Sequence, residues 1–230
     1  MAEVLVWAFD LDAIDAAAVA ATLPLAEQQR AARFRFDIHR NRWLAARGAL
    51  RRVLAQVTGS EPEFEYGEHG KPFLRSGPFF NLSHSENRAV IGVTSAAEVG
   101  VDVERINAER GRPQIAERFF AAREIAELAE LSGTAYTDAF FQIWARKEAV
   151  LKAVGTGIGG GLASFAVPLH AMPAAVHIPE PDCWIGNLAH AFPYLQAEGF
   201  SSAVALMGRK PLVRVECGTV RRIPVRRTLK

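Results

Sequence analysis

The sequence predicts an α+β fold made of two similar α/β halves that face each other, residues 1–108 and 109–230. Three observations carry this. Stretches with strand periodicity and stretches with helical periodicity are interspersed in both parts of the chain, which fits neither an all-helical nor an all-strand architecture. Asn107 to Pro113 is polar and holds Gly and Pro, and so marks a boundary. Finally, Trp43-Leu-Ala-Ala-Arg47-Gly-Ala-Leu-Arg51 echoes Trp144-Ala-Arg-Lys-Glu148-Ala-Val-Leu-Lys152 in tryptophan spacing and helix register. Two unrelated amphipathic helices can share such spacing. If the echo reflects a repeat, a ligand belongs at the junction of the halves, where pockets commonly form.

Taken in order, Val4 to Phe9 reads as a strand ended by the turn Asp10-Leu11-Asp12. An Ala-rich helix follows, then an Arg-rich helical pattern from Ala26 to Phe36 with Arg30, Arg33 and Arg35. A further helix runs from about Arg40 to Val57 and is closed by Thr58-Gly59. Its apolar stripe is Trp43, Leu50 and Leu54, and Arg47 and Arg51 are surface residues unless an anion is found for them. Gly67 to Leu74 is a glycine-punctuated turn in which Pro72 forces Lys71 into an extended backbone. A lysine so fixed can offer its ammonium and nearby amides to an anion, although most such turns bind nothing. Phe79 to Ser85 is an apolar strand ending in Ser83-His84-Ser85. A histidine flanked by hydroxyls suits phosphate binding or proton transfer, and a turn with an incidental histidine is the plain alternative. Ala89 to Thr94 reads as a buried strand and Glu98 to Glu104 as its hairpin partner, which would bring Ser83 and His84 towards Asp102 and Glu104.

In the second half, helices are expected at Ile115 to Phe120, Ala122 to Leu131 and Tyr136 to Val154. In the last of these Trp144, Glu148 and Lys152 line one face; the ordinary reading of the last two is an exposed pair worth about 0.3–0.5 kcal/mol. Gly155 to Gly161 ends the helix. A nucleoside triphosphate loop would precede a helix and end in Gly-Lys-Ser/Thr, so none is implied. Strands are expected at Ser164 to Val167, Ala174 to Ile178, Asp182 to Asn187, Tyr194 to Gln196 and Phe200 to Met207, with one more at Leu212 to Glu216.

The chemistry centres on Val99-Gly100-Val101-Asp102-Val103-Glu104. Strand periodicity puts Asp102 and Glu104 on one face, and like charges so placed ask for a metal, a shared proton or open water. Composition removes other classes. With 230 residues, 50% of them hydrophobic and 23% charged, the chain can build a full core. No apolar run approaches the roughly 20 residues of a membrane span, and the N-terminus lacks a signal-peptide pattern, so no membrane partner and a cytoplasmic location are expected. Cys183 and Cys217 form no CxxC and suggest neither a disulfide framework nor a structural zinc site. A net charge of +2 does not argue for nucleic acid, and the basic tail from Arg209 has no interleaved aromatic residues to stack bases.

Together, Gly70-Lys71-Pro72, Phe80-Asn81-Leu82-Ser83-His84-Ser85, Gly100-Val101-Asp102-Val103-Glu104 and the Trp144 to Ala153 segment resemble the ordered motifs of the 4'-phosphopantetheinyl transferases. The similarity is greatest to the larger, surfactin-synthetase-activating type, in which one chain holds two related halves. The motifs span residues 70 to 153, and the Arg-rich helices before them also resemble the family's. The resemblance implies halves related by a pseudo-two-fold axis with the active site at their junction. It implies magnesium-dependent transfer of 4'-phosphopantetheine from coenzyme A to a serine of an apo acyl or peptidyl carrier protein, releasing adenosine 3',5'-bisphosphate. Asp102, Glu104 and Glu148 are thereby magnesium ligands, with Glu148 also a candidate base for the serine proton. Lys152 is assigned to the pyrophosphate, Lys71 with Pro72 and His84 to the 3'-phosphate region, and Ser83 to a phosphate contact. Arg42 and Arg47 are candidates for the phosphate end, and Arg30 and Arg33 stand where the family's pattern has lysines. A monomer is expected, since one chain can form the junction. The competing readings are a magnesium-dependent phosphohydrolase using the same carboxylates and a non-catalytic coenzyme A or carrier-protein binding module.

Overall fold

The computed structural model describes residues 2–157, 161–170, 174–178, 183–187, 193–208 and 214–217. The chain runs β1 (Glu3–Asp10), α1 (Ala16–Ala20), α2 (Leu25–Ala31), α3 (Asp37–Thr58), β2 (Glu65–Tyr66), β3 (Pro72–Phe73), β4 (Phe79–Ser85), β5 (Arg88–Thr94) and β6 (Val99–Arg105). It continues through α4 (Pro113–Phe119), α5 (Ala122–Ala129), α6 (Gly133–Val154), β7 (Ala174–Val176), β8 (Cys183–Asn187), α7 (Pro193–Ala197), β9 (Phe200–Met207) and β10 (Arg214–Cys217). One four-stranded sheet has the order β10-β1-β5-β4 and the other β6-β9-β8-β7. Thus β6 pairs with β9 from late in the chain, and β10 adds parallel to β1.

Period-two alternation explains the layering. On β5, Ala89, Ile91 and Val93 face α3 beside Trp7 and Phe9 of β1 and Leu50 and Leu54 of the helix. The other face of the same sheet presents Val4, Val6 and Val90 to Val99, Val101 and Val103 of β6 and to Val204 and Leu206 of β9. The second sheet's far face, with Ala203 and Ala205, packs on Ala145, Ala149 and Ala153 of α6. The order of layers is therefore α3, sheet, sheet, α6. Both covering helices are 22 residues long and both end at a left-handed glycine, Gly59 at φ 76° and Gly155 at φ 85°. Among the described residues, no helix is long and apolar enough to cross a membrane.

Several sequence expectations change. The hairpin is β4–β5, and β6 does not pair with β5. Its valines lie face to face on the first sheet, and Gly92 makes room for this: a Cβ there would sit 2.7 Å from Val101 Cγ1. Ser164 to Val167 is not a strand, because Leu162–Ser164 is a 3-10 turn and the carbonyls of Leu162 and Phe165 accept bonds from the Lys147 ammonium instead of a ladder partner. Tyr194 to Gln196 lies in α7, which begins at Pro193, a residue whose fixed φ suits a first helical position. The Arg-rich helix stops at Ala31, short of Phe36. Residues 158–160 of the glycine segment, Asp182, Leu212 and most of the basic tail lie outside the described residues.

Candidate active site

Gly100 sets the geometry. A Cβ on it would lie 2.0 Å from the Ala149 carbonyl oxygen and 2.4 Å from the Ala153 nitrogen, so α6 rests its backbone directly on β6. Glu148 and Lys152 each precede one of these alanines and stand one turn apart. Asp102 and Glu104 follow Gly100 at intervals of two. The close crossing thereby delivers two acidic residues of a strand and an acid and a lysine of a helix to one place.

The Lys152 ammonium lies 2.5 Å from Asp102 Oδ1 and donates to Ser83 Oγ at 3.0 Å. Ser83 donates to the same Asp102 oxygen at 2.8 Å, and Ser85 donates to Glu104 Oε2 at 3.0 Å. Asp102 is only 1% exposed and Glu148 8%. Among the described residues, Asp102 Oδ2 and Glu148 Oε1 are buried and have no hydrogen-bond partner. Loss of solvent, followed by the negative charge of Asp102, pushes the Glu104 carboxyl up to about 7, and the same two causes in the same order raise Glu148. His84 is exposed near the end of β4, yet loss of surrounding solvent and then the Lys152 charge lower its pKa.

Two partnerless carboxylate oxygens beside a third carboxylate that resists ionisation suit a hard, oxygen-seeking divalent cation. Among the described residues no three acidic, histidine or cysteine side chains form a ready-made metal cage, and Lys152 is the cation that meets Asp102.

Most of the remaining sequence candidates already have partners of their own. Lys71 pairs with Glu98 at 2.7 Å and reaches the carbonyls of Val99 and Ala153, hooking the Gly-Lys-Pro turn to the start of β6 and the last turn of α6. Pro72 lies on β3 opposite Tyr66. Arg42 holds Asp12 through two bonds of 2.8 and 2.7 Å. Arg47, expected at the surface, is buried: it pairs with Glu27 at 2.7 Å, donates to the Tyr66 hydroxyl and lies 4.3 Å from the Phe64 ring centre. Arg51 shares Glu27 at 2.8 Å, so the anion these arginines lacked in the sequence is an internal carboxylate. Neither are Glu148 and Lys152 an exposed pair, since Lys152 turns to Asp102.

Two features went unread in the sequence. Lys147 is fully buried and pairs with Glu124 at 2.8 Å. The available signal was its company on the helix, because Phe140, Ile143, Val150 and Leu151 surround it with an apolar stripe. Ser85 and Asn81 also bind β6, and only the alternation Asn-x-Ser-x-Ser on β4 hinted at a shared face.

The fold is that of an α+β protein that gathers carboxylates, a lysine and hydroxyls beside the seam of two stacked sheets. Residues 98–192, which include the β6 acids and all of α6, match the model of the 4'-phosphopantetheinyl transferase superfamily. The sequence is 40% identical over 166 residues to the 4'-phosphopantetheinyl transferase HetI of Nostoc sp., covering 68% of this chain and 70% of that protein. It is 40% identical over 149 residues to a putative 4'-phosphopantetheinyl transferase of Synechocystis sp., covering 62% of this chain and 61% of that one. A third relative, the 4'-phosphopantetheinyl transferase psf-1 of Bacillus pumilus, is 38% identical over 152 residues, covering 62% of this chain and 63% of its own. The chain belongs to the 4'-phosphopantetheinyl transferase superfamily.

Proposed function

We infer that the chain transfers the 4'-phosphopantetheine group of coenzyme A to a serine of an apo acyl or peptidyl carrier protein, with adenosine 3',5'-bisphosphate as the other product. The observation that carries the reading is the pair of buried, partnerless oxygens of Asp102 and Glu148 around the Lys152 ammonium, within the segment that matches the superfamily. Asp102, Glu104 and Glu148 would hold a magnesium ion. When bound, the ion would offset charge on the pyrophosphate oxygens.

The reaction joins the serine oxygen to the phosphorus that carries pantetheine and breaks that phosphorus's bond to the bridging oxygen, which leaves with the nucleotide. Glu148 is the candidate acceptor of the serine proton. Lys152 leaves Asp102 for the pyrophosphate and meets the charge that grows on the leaving oxygen. His84 takes the 3'-phosphate region with Lys71 and Pro72, for which Lys71 would have to leave Glu98, and Ser83 reaches phosphate once Lys152 has moved. Arg42 and Arg47 are the candidates for the phosphate end, and either would have to leave an internal carboxylate, Asp12 or Glu27, to serve there.

The surfactin-synthetase-activating type, with two halves at 1–108 and 109–230 related by a pseudo-two-fold axis, is supported by the matched 22-residue helices on the two outer faces, with the halves exchanging strands, since β6 joins the second sheet and β10 the first. It accords with a cytoplasmic monomer. Intact mass spectrometry of an apo carrier protein with coenzyme A, with and without EDTA, tests the reading. Addition of phosphopantetheine that EDTA abolishes is expected. Transfer in EDTA, or phosphate release without transfer as a phosphohydrolase would give, refutes it.

A further inference from the structure

The free edge of β6 meets β4 in an unusual way. Val101, Val103 and Arg105 direct their backbone N–H groups at side chains rather than at a neighbouring backbone: Asn81 Oδ1 at 2.9 Å, Ser83 Oγ at 3.3 Å and Ser85 Oγ at 3.1 Å. Each serine also donates its only proton to the carboxylate of the preceding β6 residue, Ser83 to Asp102 and Ser85 to Glu104. One hydroxyl thus ties a side-chain oxygen to the next backbone amide of the same strand and fixes the rotamer of the acid between them. At the first of the three positions the preceding β6 residue is Gly100, which has no carboxylate, and there β4 supplies Asn81, whose amide oxygen only accepts. The residue types on β4 follow what β6 requires at each step.

Asp102 has a second anchor in Lys152. Ser85 is the one side chain with a hydrogen bond to Glu104 among the described residues. A glutamate has three rotatable bonds, and holding it in one arrangement costs entropy that a pre-formed clamp removes.

We propose that Ser85 is a positioning residue that presets Glu104 for a divalent cation, so that its hydroxyl governs cation affinity rather than coenzyme A affinity. The proposal rests on the reading of the cleft as a cation site. Groups that hold a metal-bearing carboxylate commonly contribute about 10–100-fold to affinity.

Mg2+ titration calorimetry on the full chain at saturating coenzyme A, with the wild type, Ser85→Ala, Ser85→Thr and Glu104→Gln, tests it. Ser85→Ala should weaken Mg2+ binding about 10-fold or more. Ser85→Thr, which keeps the hydroxyl, should restore most of that loss, and the coenzyme A KM at saturating Mg2+ should stay at the wild-type value in both. Wild-type Mg2+ affinity in Ser85→Ala together with loss in Glu104→Gln overturns the role of Ser85 and leaves the cation site standing. Unchanged affinity in Glu104→Gln as well overturns the cation reading itself. Failure of Ser85→Thr to restore binding assigns the loss to packing and also overturns the proposal. Metal-free thermal unfolding checks the fold. Should Ser85→Ala not fold, Ser85→Cys, similar in shape and a weaker donor, must lose Mg2+ affinity, and wild-type binding by it is again refuting.

Discussion

Replacing Gly100 by alanine adds a single methyl group at the point where helix and strand backbones touch. The new carbon would stand 2.0 Å from the Ala149 oxygen and 2.4 Å from the Ala153 nitrogen, whereas ordinary contact begins at 3.4 Å. Both atoms are main chain, so no rotamer change relieves the clash and α6 must lift from β6 by about 1.4 Å. Overpacking of this kind costs about 1–3 kcal/mol, or more when backbone must yield. For a chain of this size that lowers the unfolding midpoint by about 2–12 °C. The larger effect falls on chemistry. Glu148 and Lys152 sit beside the displaced alanines, and a shift near 1 Å in positioned groups can cost about 100-fold in rate. The assay is kcat/KM for phosphopantetheine transfer alongside thermal unfolding. Gly59→Ala is the comparison: it imposes left-handed strain of about 1–2 kcal/mol at a helix end with open space around it and should leave turnover intact. If Gly100→Ala keeps wild-type stability and turnover, the backbone contact of α6 on β6 does not position the site.

Three further outcomes are expected. Lys147→Met removes the partner of Glu124 and the donor to the carbonyls of Leu162 and Phe165, leaving a buried charge uncompensated; it should cost about 3–5 kcal/mol, read as a fall in urea midpoint with an unchanged slope. Burial alone would raise the Glu27 carboxyl, but Arg51 and Arg47 together hold it below its ordinary 4.5. Its contribution is therefore complete above that unfolded value and lost as pH falls through the lower folded one, so the stability gap between wild type and Glu27→Gln should shrink from pH 6 to pH 3 in urea melts; a constant gap refutes this. His84→Ala should raise the coenzyme A KM with little change in kcat and should erase any preference over 3'-dephospho-coenzyme A, as steady-state kinetics with both substrates will show.

Much of the fold was legible because it follows local periodicity. β1, α3, β4, α6 and β9 lie where alternation and helical spacing put them, and Gly59 and Gly155 end their helices for conformational reasons that act within a few residues. What could not be read was which sheet a strand joins. Val99, Val101 and Val103 carry the same alternation whether β6 pairs edge to edge with β5 or packs face to face on it, and the choice rests on Gly92 and on β9, a partner about a hundred residues away. Ser164 to Val167 shows the complementary failure. Its composition suits a strand, but its backbone is satisfied by Lys147 and Glu124, because Val167 donates its N–H to Glu124 Oε1 at 2.7 Å.

The cleft shows why pairwise spacing misleads about charge. Glu148 and Lys152 have the separation of a surface salt bridge, and by that rule alone they would answer each other and need nothing more. Gly100 changes the contest by bringing β6 against the helix, where Asp102 offers Lys152 a carboxylate already anchored by Ser83. An acceptor already held by Ser83 wins over one on the same helix, since less freedom is lost. Glu148 is then left with an unanswered oxygen, as is the second oxygen of Asp102. Burying such atoms without partners costs about 1–3 kcal/mol each, a burden that stability alone gives no reason to keep. It becomes intelligible if a cation and a phosphate enter the cleft and complete what the protein leaves open.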